Sequence, residues 1–560
     1  MPSVSGLSVP LCERNCYVSS ANGQDGCQPR KLLCAIVVGV VALLLPVRSW
    51  SIIALRPDLE LEGFVQAQNI LRTPNFQGAK FILQRNTAQV EAKYHFLQEG
   101  RAFGWLSTGS VEDASLTVIG RGVYDSLYDI GDAYSKKFTE QEKEKRKFEY
   151  KLREVYLDTA IPPFSLRVGR QQVVWGETDN FRALDVINPL DTRWHWSRES
   201  WEDIRIPLWM VRAIYDIGKI GPLEESFAEA VWIPWDFQRG KTTSDPRRPW
   251  AAIGHGLRAR ANSVVSNGQL FDLRTTVIDR KPDKGLESSQ GGMRFKGIWR
   301  GIDFSLNYFF TFGDTGLKIR RDLAAQQPCP AQTVCSVVNT VNARAHVVGF
   351  AANYSEEKYT QAVFRVEAAL STGVPVRLKS GIPRRFDSDN NSFETARRTV
   401  VMLAFDRPTW IRPLNKIRTF FISGQFFWRH YLNYNRFYRG ASSVRHAILD
   451  DQVIPDRYVS VLTDKINQDE FVATLSASTS YGPGGLWQPL VVFAFDPVST
   501  GAYNRISVDY LFSNHIVFRL TQDFYWRIHS HDPGPWSIGD RFGRPGDSRH
   551  ETVFSIIFQF

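Results

Sequence analysis

The sequence predicts an all-β protein: a transmembrane antiparallel β-barrel of the bacterial outer membrane, with about 16–18 strands and long extracellular loops. Three observations carry this. Alternating runs of strand length recur from about residue 59 to the end, their connections alternate between short and long, and the chain stops on an aromatic strand, "ETVFSIIFQF" at 551–560.

The long runs fall at about 342–355, 359–372, 395–406, 418–433, 469–482 and 501–513. Transmembrane strands need about 9–11 residues, whereas strands of soluble domains average about 5–6. Apolar and polar residues alternate within the runs, the pattern of a strand with two unlike faces. In 470–482, Phe471, Ala473, Leu475, Ala477 and Tyr481 oppose Thr474, Ser476, Ser478 and Ser480, with Val472 the exception. In 504–512, Ile506, Val508, Tyr510 and Phe512 oppose Arg505, Ser507 and Asp509, and in 515–523 Ile516, Phe518 and Leu520 oppose Arg519, Thr521 and Asp523. Such charges at mid-strand suit a watery lumen, and the apolar face suits lipid.

The connections 527–551, 433–469, 372–395 and 313–342 are long and fall on one side; 513–515, 355–359 and 299–301 are tight and fall on the other. Soluble antiparallel sheets also alternate, but they have no reason to sort loops by side. Lipid offers backbone groups no partner, so a spanning sheet must close on itself. Closure accounts for the last strand: Phe554, Ile556, Phe558 and Phe560 share a face that turns to lipid once this strand pairs with the first. A core strand is the alternative for these ten residues taken alone. Phe558 and Phe560 also resemble the C-terminal signal read by the outer-membrane assembly machinery. Before residue 290 the pattern is ambiguous: 81–97 reads as one strand or two, 140–157 mixes helix-like charge with strand, and the charge run Lys136–Lys147 reads as a solvated loop or short helix.

The 560 residues show no linker, no internal repeat and no change of structural type, so 50–560 is expected to form one barrel. Residues 1–49 read as an N-terminal extension and signal peptide: Arg30 and Lys31 precede an apolar run from Leu32 to Pro46, with cleavage expected before Trp50. An uncleaved anchor is the alternative. Four of six cysteines lie in that segment, and Cys329 and Cys335 frame "CPAQTVC", which reads as a local disulfide in an exported protein, with a two-cysteine metal site as the weaker alternative. The net charge is +10, and loss of 1–49 removes four basic and two acidic residues to leave +8. Lys and Arg are scattered along the strands rather than clustered, which argues against nucleic acid.

One stretch is polar on both faces. In "FSLRVGRQQVVWGETDNFRALDVINPLD" (164–191), Arg167, Gly169, Gln171 and Val173 alternate with Val168, Arg170, Gln172 and Val174, so neither face suits bare lipid. We expect Arg170 and Glu177, with Asp179, Asp185 and Asp191, to build a charged network that fixes an inward-folded segment in the lumen, while Asn188-Pro189 makes a turn. Arg167, Gln171 and Trp175 complete the set of lumen candidates.

This stretch resembles an uncharacterised proteobacterial family of outer-membrane β-barrel proteins, a domain-of-unknown-function family, through a GRQ-x-x-x-WGE strand and a following NP turn. The matching positions are Gly169, Arg170, Gln171, Trp175, Gly176, Glu177, Asn188, Pro189 and Asp191, with support from 205–215 and 405–427. The resemblance implies the outer membrane of a Gram-negative bacterium and a step in moving lipids or other hydrophobic compounds. It also implies partners: outer-membrane lipid, a periplasmic protein and a lipid-exporting inner-membrane transporter.

Catalytic patterns of the G-x-S-x-G, H-E-x-x-H and P-loop kinds do not occur. His529, His531, Asp532 and His550 could bind metal or move protons, but they read as the tip of a long loop. No enzyme, cofactor or metal is expected. The functional expectation is a channel or conduit for hydrophobic or lipid-like compounds. Its alternatives are a general porin-like pore for small solutes and a closed structural or docking barrel for a periplasmic partner.

Overall fold

Strand after strand pairs antiparallel with the next, and the last pairs with the first. The computed structural model describes residues 53–560 apart from 57, 74–77, 104–105, 131–137, 180, 194–198, 242–261, 280, 314–319, 323–329, 341, 379–392, 440–441, 451, 463–465, 498–500 and 528–549. The expected signal segment with its four cysteines, and Cys329, His529, His531 and Asp532, lie outside the described residues. The barrel has 18 strands. The first six are β1 (Leu59–Arg72), β2 (Lys80–Gln98), β3 (Asp113–Asp125), β4 (Phe148–Ile161), β5 (Phe164–Gln171) and β6 (Leu208–Asp216). Next come β7 (Leu223–Ile233), β8 (Gln290–Trp299), β9 (Ile302–Phe312), β10 (Arg344–Glu356), β11 (Ala362–Leu378) and β12 (Phe393–Thr409). The remainder are β13 (Phe420–Tyr431), β14 (Asp469–Ser478), β15 (Trp487–Asp496), β16 (Gly501–Leu511), β17 (Ile516–Arg527) and β18 (Glu551–Gln559).

Closure runs through β1 and β18, in register from Phe64 opposite Gln559 to Arg72 opposite Glu551. A buried Arg72–Glu551 ion pair of 2.7 Å marks one end of this seam, and mutual backbone hydrogen bonds between Gly63 and Phe560 (2.9 and 3.0 Å) mark the other.

The connections sort by end as the sequence predicts. Turns such as 162–163, 300–301, 357–361 and 512–515 lie at the end that holds both ends of the barrel chain, here the terminal end. The connections 172–207, 234–289, 313–343 and 432–468 lie at the opposite, loop end. Three of these build further sheet. Gln269–Asp279 pairs in parallel with Thr333–Thr340, within a four-stranded sheet, and a hairpin of Ser442–Leu449 and Gln452–Leu462 meets it through Asn262–Tyr458 and Arg457–Asp272. Cys335, on Thr333–Thr340, is disulfide-bonded.

The two ambiguous stretches resolve. Residues 80–98 form one strand, and 140–157 is both elements in turn: a helix, Glu140–Lys147, closed by a capping box between Thr139 and Glu142, and then β4. The capping box satisfies backbone donors that a helix start leaves free, which is why a run without apolar residues stays helical. The run expected over 469–482 stops as a strand at Ser478, because Thr479 and Ser480 turn to bond Asn415 of the 410–419 turn.

Alternation decides what faces where. Leu475, Ile506, Leu520, Phe554 and Ile556 are exposed on the outer surface, while Thr474, Ser507, Thr521 and Ser555 are buried on the inner one. Outward aromatics gather near the terminal end, as in Phe164–Tyr215 (4.7 Å between rings) and Trp487–Tyr510 (4.4 Å), and near the loop end, as in Tyr124–Phe148 (4.8 Å). Two such girdles flanking an apolar band are the outer surface that a bilayer calls for. Val472, the inward apolar exception in its strand, packs with Met402, Ala404 and Phe427 around Phe181, which comes from the connection after β5.

Candidate functional site

The inner wall alone would be too polar to bury, so whatever fills the lumen must meet polar groups with polar groups. The connection 172–207 does this: it leaves the loop end of β5, folds inward and returns at β6. Asn188 ties its neck. The Asn188 Oδ1 accepts from the Val173 N–H (2.8 Å), and its Nδ2 donates to the carbonyls of Ile206 (2.9 Å) and Gln171 (3.4 Å). Gln171 in turn donates to the Met210 carbonyl (3.1 Å), so the two strands that bracket the segment are fixed to each other and to its entry.

One side of the segment is apolar. Val173, Trp175, Leu184, Ile187 and Ile206 bury themselves against inward residues of β6, β7 and β9–β11, among them Met210, Val231, Phe309 and Val347. At the centre of this contact, Trp175 Nε1 donates to Glu229 (3.2 Å), which also holds Arg212 (2.7 Å) and Arg294 (2.5 Å). Beside it, the buried Glu367 carboxylate accepts the backbone N–H groups of Glu177 (2.6 Å) and Leu184 (2.5 Å). Arg365 donates to the Glu177 carbonyl (2.6 Å) and pairs with Asp179 (2.8 Å) and Asp406 (2.7 Å); Gln425 also donates to Asp179.

The other side meets β2–β4 through arginines. Arg85 pairs with Glu199, Arg121 with Asp203, and Arg153 donates to the carbonyls of Glu202, Asp203 (3.1 Å) and Arg205 (3.5 Å), which end the one-turn helix Trp201–Ile204. Burial works to raise the Asp203 pKa, but Arg121 and Ser200 outweigh it and hold the carboxyl below its usual value. Asp191 is likewise held low, burial being outweighed by Arg193. Lys241 is pushed down by burial. The segment is thus bonded to walls on both sides of the lumen.

The residues singled out from the sequence take different places. Trp175, Glu177, Asp179, Asp185, Asn188 and Asp191 belong to the segment; Asp185 pairs with Arg205 (2.9 Å) and Asp191 with Arg193 (2.6 Å). Arg167 pairs with Asp158 of the wall (2.6 Å), and Arg170 donates to the carbonyls of Leu152 (2.8 Å) and Pro207 (3.3 Å) rather than to Glu177. The residues that grip the segment from outside it, Arg85, Arg121, Arg153, Glu229, Arg365 and Glu367, were not singled out. Their signal is the same in each case, a charge on the inward row at mid-strand. Among the described residues no three His, Cys, Asp or Glu side chains stand together as a metal site.

Between the segment and the strands β13–β18 and β1 a cavity of about 1410 Å³ remains. Glu199, Glu202 and Asp203 edge it on the segment, and Gln68, Ser478, Arg505, Ser507, Arg519 and Thr521 are among the wall residues that line it. A second cavity of about 680 Å³ opens near the terminal end of β2–β6, beside Lys93, His95, Asp158 and Arg212.

Residues 106–493 match the family described as "Protein of unknown function (DUF1302)". The chain belongs to the DUF1302 family. A search among curated proteins found no match. Among solved structures, this DUF1302 protein is similar to OccAB3 of Acinetobacter baumannii, with 9% identity, a TM-score of 0.43, and coverage of 90% of this chain and 100% of that one. It is also similar to OmpT of Vibrio cholerae in its trimer form (8% identity, TM-score 0.33, coverage 90% and 100%) and to OmpF of Salmonella typhi in complex with daunomycin (9%, 0.35, 90% and 97%).

Proposed function

We propose that this DUF1302 protein is a constricted channel of the bacterial outer membrane, with the terminal end in the periplasm and solutes passing between the 172–207 segment and the wall of β13–β18 and β1. The observation that carries this is the cavity of about 1410 Å³ beside a segment bonded to both walls. An 18-stranded barrel is wide enough for a water-filled lumen unless something occupies it. Here the occupant leaves one side free. Protein-bound anchors on both flanks support a fixed constriction rather than a swinging gate, and the work needs no catalytic group.

The lining favours hydrophobic or lipid-like solutes that carry a polar group. Hydroxyls and paired charges line the β14–β18 side, while Pro408, Trp410, Ile417 and Phe421 border the terminal mouth. A general pore for small solutes is the second reading, favoured by the hydroxylated wall alone. Gln488→Cys, placed in this cavity, tests the path in planar bilayers. A bulky thiol reagent added to the assembled variant is expected to cut conductance. Conductance unchanged by the reagent would place the path elsewhere, and silence before and after it would favour a closed docking barrel.

A further inference from the structure

The terminal mouth carries apolar side chains where a watery rim would be expected. Pro408 of β12 and Phe421 of β13 are paired on the inward row, in line with the buried Ser423 and Gln425; Phe405 and Phe426 stand on the outward row. Trp410 and Ile417, from the turn between these strands, border the same cavity, at 52% and 83% exposure, and Phe421 is 49% exposed. Their placement inside the mouth separates them from the outer aromatic girdle, which lipid would cover.

Beside them Arg418 is held in place, while Arg412 of the same turn stands over the Trp410 ring (5.4 Å). Asn415 shapes the turn: its Oδ1 accepts the N–H groups of Ile417 and Arg418 (3.0 Å each), and its Nδ2 reaches Thr479 and Ser480 (3.0 Å each). Arg418 Nη1 donates to Ser480 Oγ. Gly485, at φ +82°, lies against the guanidinium, and a Cβ there would overlap Nη1. Among the described residues no carboxylate pairs with Arg418, whereas Arg505 and Arg519 are taken up by Asp523 and Asp509. A guanidinium with donors to spare, bordered by apolar surface, matches a charged head carried on an apolar body.

We infer that this mouth binds a single-chain amphiphilic anion, its carboxylate, sulfate or phosphate head on Arg418 and its apolar body across Trp410, Ile417 and Phe421. This deepens the passage reading and rests on it for the site's role in transport, but not for the binding itself.

The test uses the full barrel in phosphatidylcholine nanodiscs and measures tritiated palmitate retained above empty discs. Saturable binding is expected, weakened by at least about tenfold in Arg418→Gln and partly kept in Arg418→Lys, with hexadecanol binding at least about tenfold more weakly than palmitate. Ile417→Ser, on an exposed turn and so harmless to folding, is expected to weaken palmitate while leaving the charge in place. Equal palmitate binding by the wild type and Arg418→Gln, or equal binding of hexadecanol and palmitate, overturns the inference. Phosphatidylglycerol added to the discs is expected to leave palmitate bound, and competition by this two-chain anion would overturn the single-chain assignment. Conductance of the same preparation separates the two proposals. Arg418-dependent binding by a silent barrel sinks the passage alone, and steady conductance without palmitate binding sinks the amphiphile site alone.

Discussion

Gly349 of β10 leaves in the barrel wall the space that Leu184 of the inward segment fills. A Cβ at Gly349 would overlap Leu184 Cδ2 and stand 3.0 Å from the Ala368 carbonyl, so the wall is recessed here for one side chain of the segment. On the same inward row Ala351 borders the recess on one side and Val347 on the other, both packed with Leu184.

Gly349→Val is therefore expected to push Leu184 out while leaving the strand ladder formed. Overpacking of this kind costs about 1–3 kcal/mol, charged here to the segment rather than to the barrel. The expected outcome is a barrel that still resists unfolding in detergent but is cut by trypsin at Arg182 much faster than the wild type. Unchanged cleavage would show that the segment does not depend on this contact.

Glu367 makes a sharper case, because its carboxylate serves backbone rather than side chains. Glu367→Ala leaves the buried Leu184 N–H without this acceptor, at about 1–3 kcal/mol, and removes the partner of the half-buried Glu177 N–H as well. Single-channel recordings are expected to become noisy as the segment loosens, and Glu367→Gln, which keeps one acceptor oxygen, is expected to fall between. Quiet recordings from Glu367→Ala would mean that the arginine contacts suffice.

The architecture was legible because lipid enforces it: alternation at Leu475, Ile506 and Leu520 and the sorting of long connections to one end both follow from an apolar exterior and a closed sheet. The inward segment was legible only in part. Gln171, Trp175 and Asn188 stood out because a stretch polar on both faces has no lipid-facing place, but their partners did not. Glu229 and Glu367 look like any other mid-strand carboxylate until register brings them beneath Trp175 and Leu184, and register across many strands is not written in a local pattern. The expected meeting of Arg170 and Glu177 assumed that neighbours in sequence pair in space. Arg170 instead serves the carbonyls of Leu152 within β4 and of Pro207 just before β6, and Glu177 is gripped through its backbone.

Acid is expected to release the segment from β3. Asp203 is held below its usual pKa of 3.8, so its contribution is fully present above about that value and is lost as pH falls through the lower, folded value. Trypsin is not usable there, so pepsin cleavage at about pH 2, well under the usual carboxylate range, against a neutral-pH protease control is the measurement. Asp203→Asn is expected to show at pH 7 the looseness that the wild type reaches only in acid. Equal cleavage of the wild type and Asp203→Asn at both pH values would remove Asp203 from the anchoring set.

The expectation that the C-terminal ring is read by the assembly machinery can be separated from simple stability. Phe560 exchanges backbone hydrogen bonds with Gly63 at the end of the β1–β18 seam, and a side-chain change leaves those bonds available. Phe560→Ser therefore subtracts only the ring. Losing its apolar contact costs at most about 2 kcal/mol, a small part of what a sheet of this size gains by closing. Refolding from urea into lipid vesicles is expected to be close to wild type, while insertion into the outer membrane of cells falls several-fold. That split is the signature of a ring read by the assembly machinery. If refolding and cellular insertion fall together, the ring matters for closing the seam, and Phe558 and Phe560 are lipid-facing residues like Phe554 and Ile556 before them.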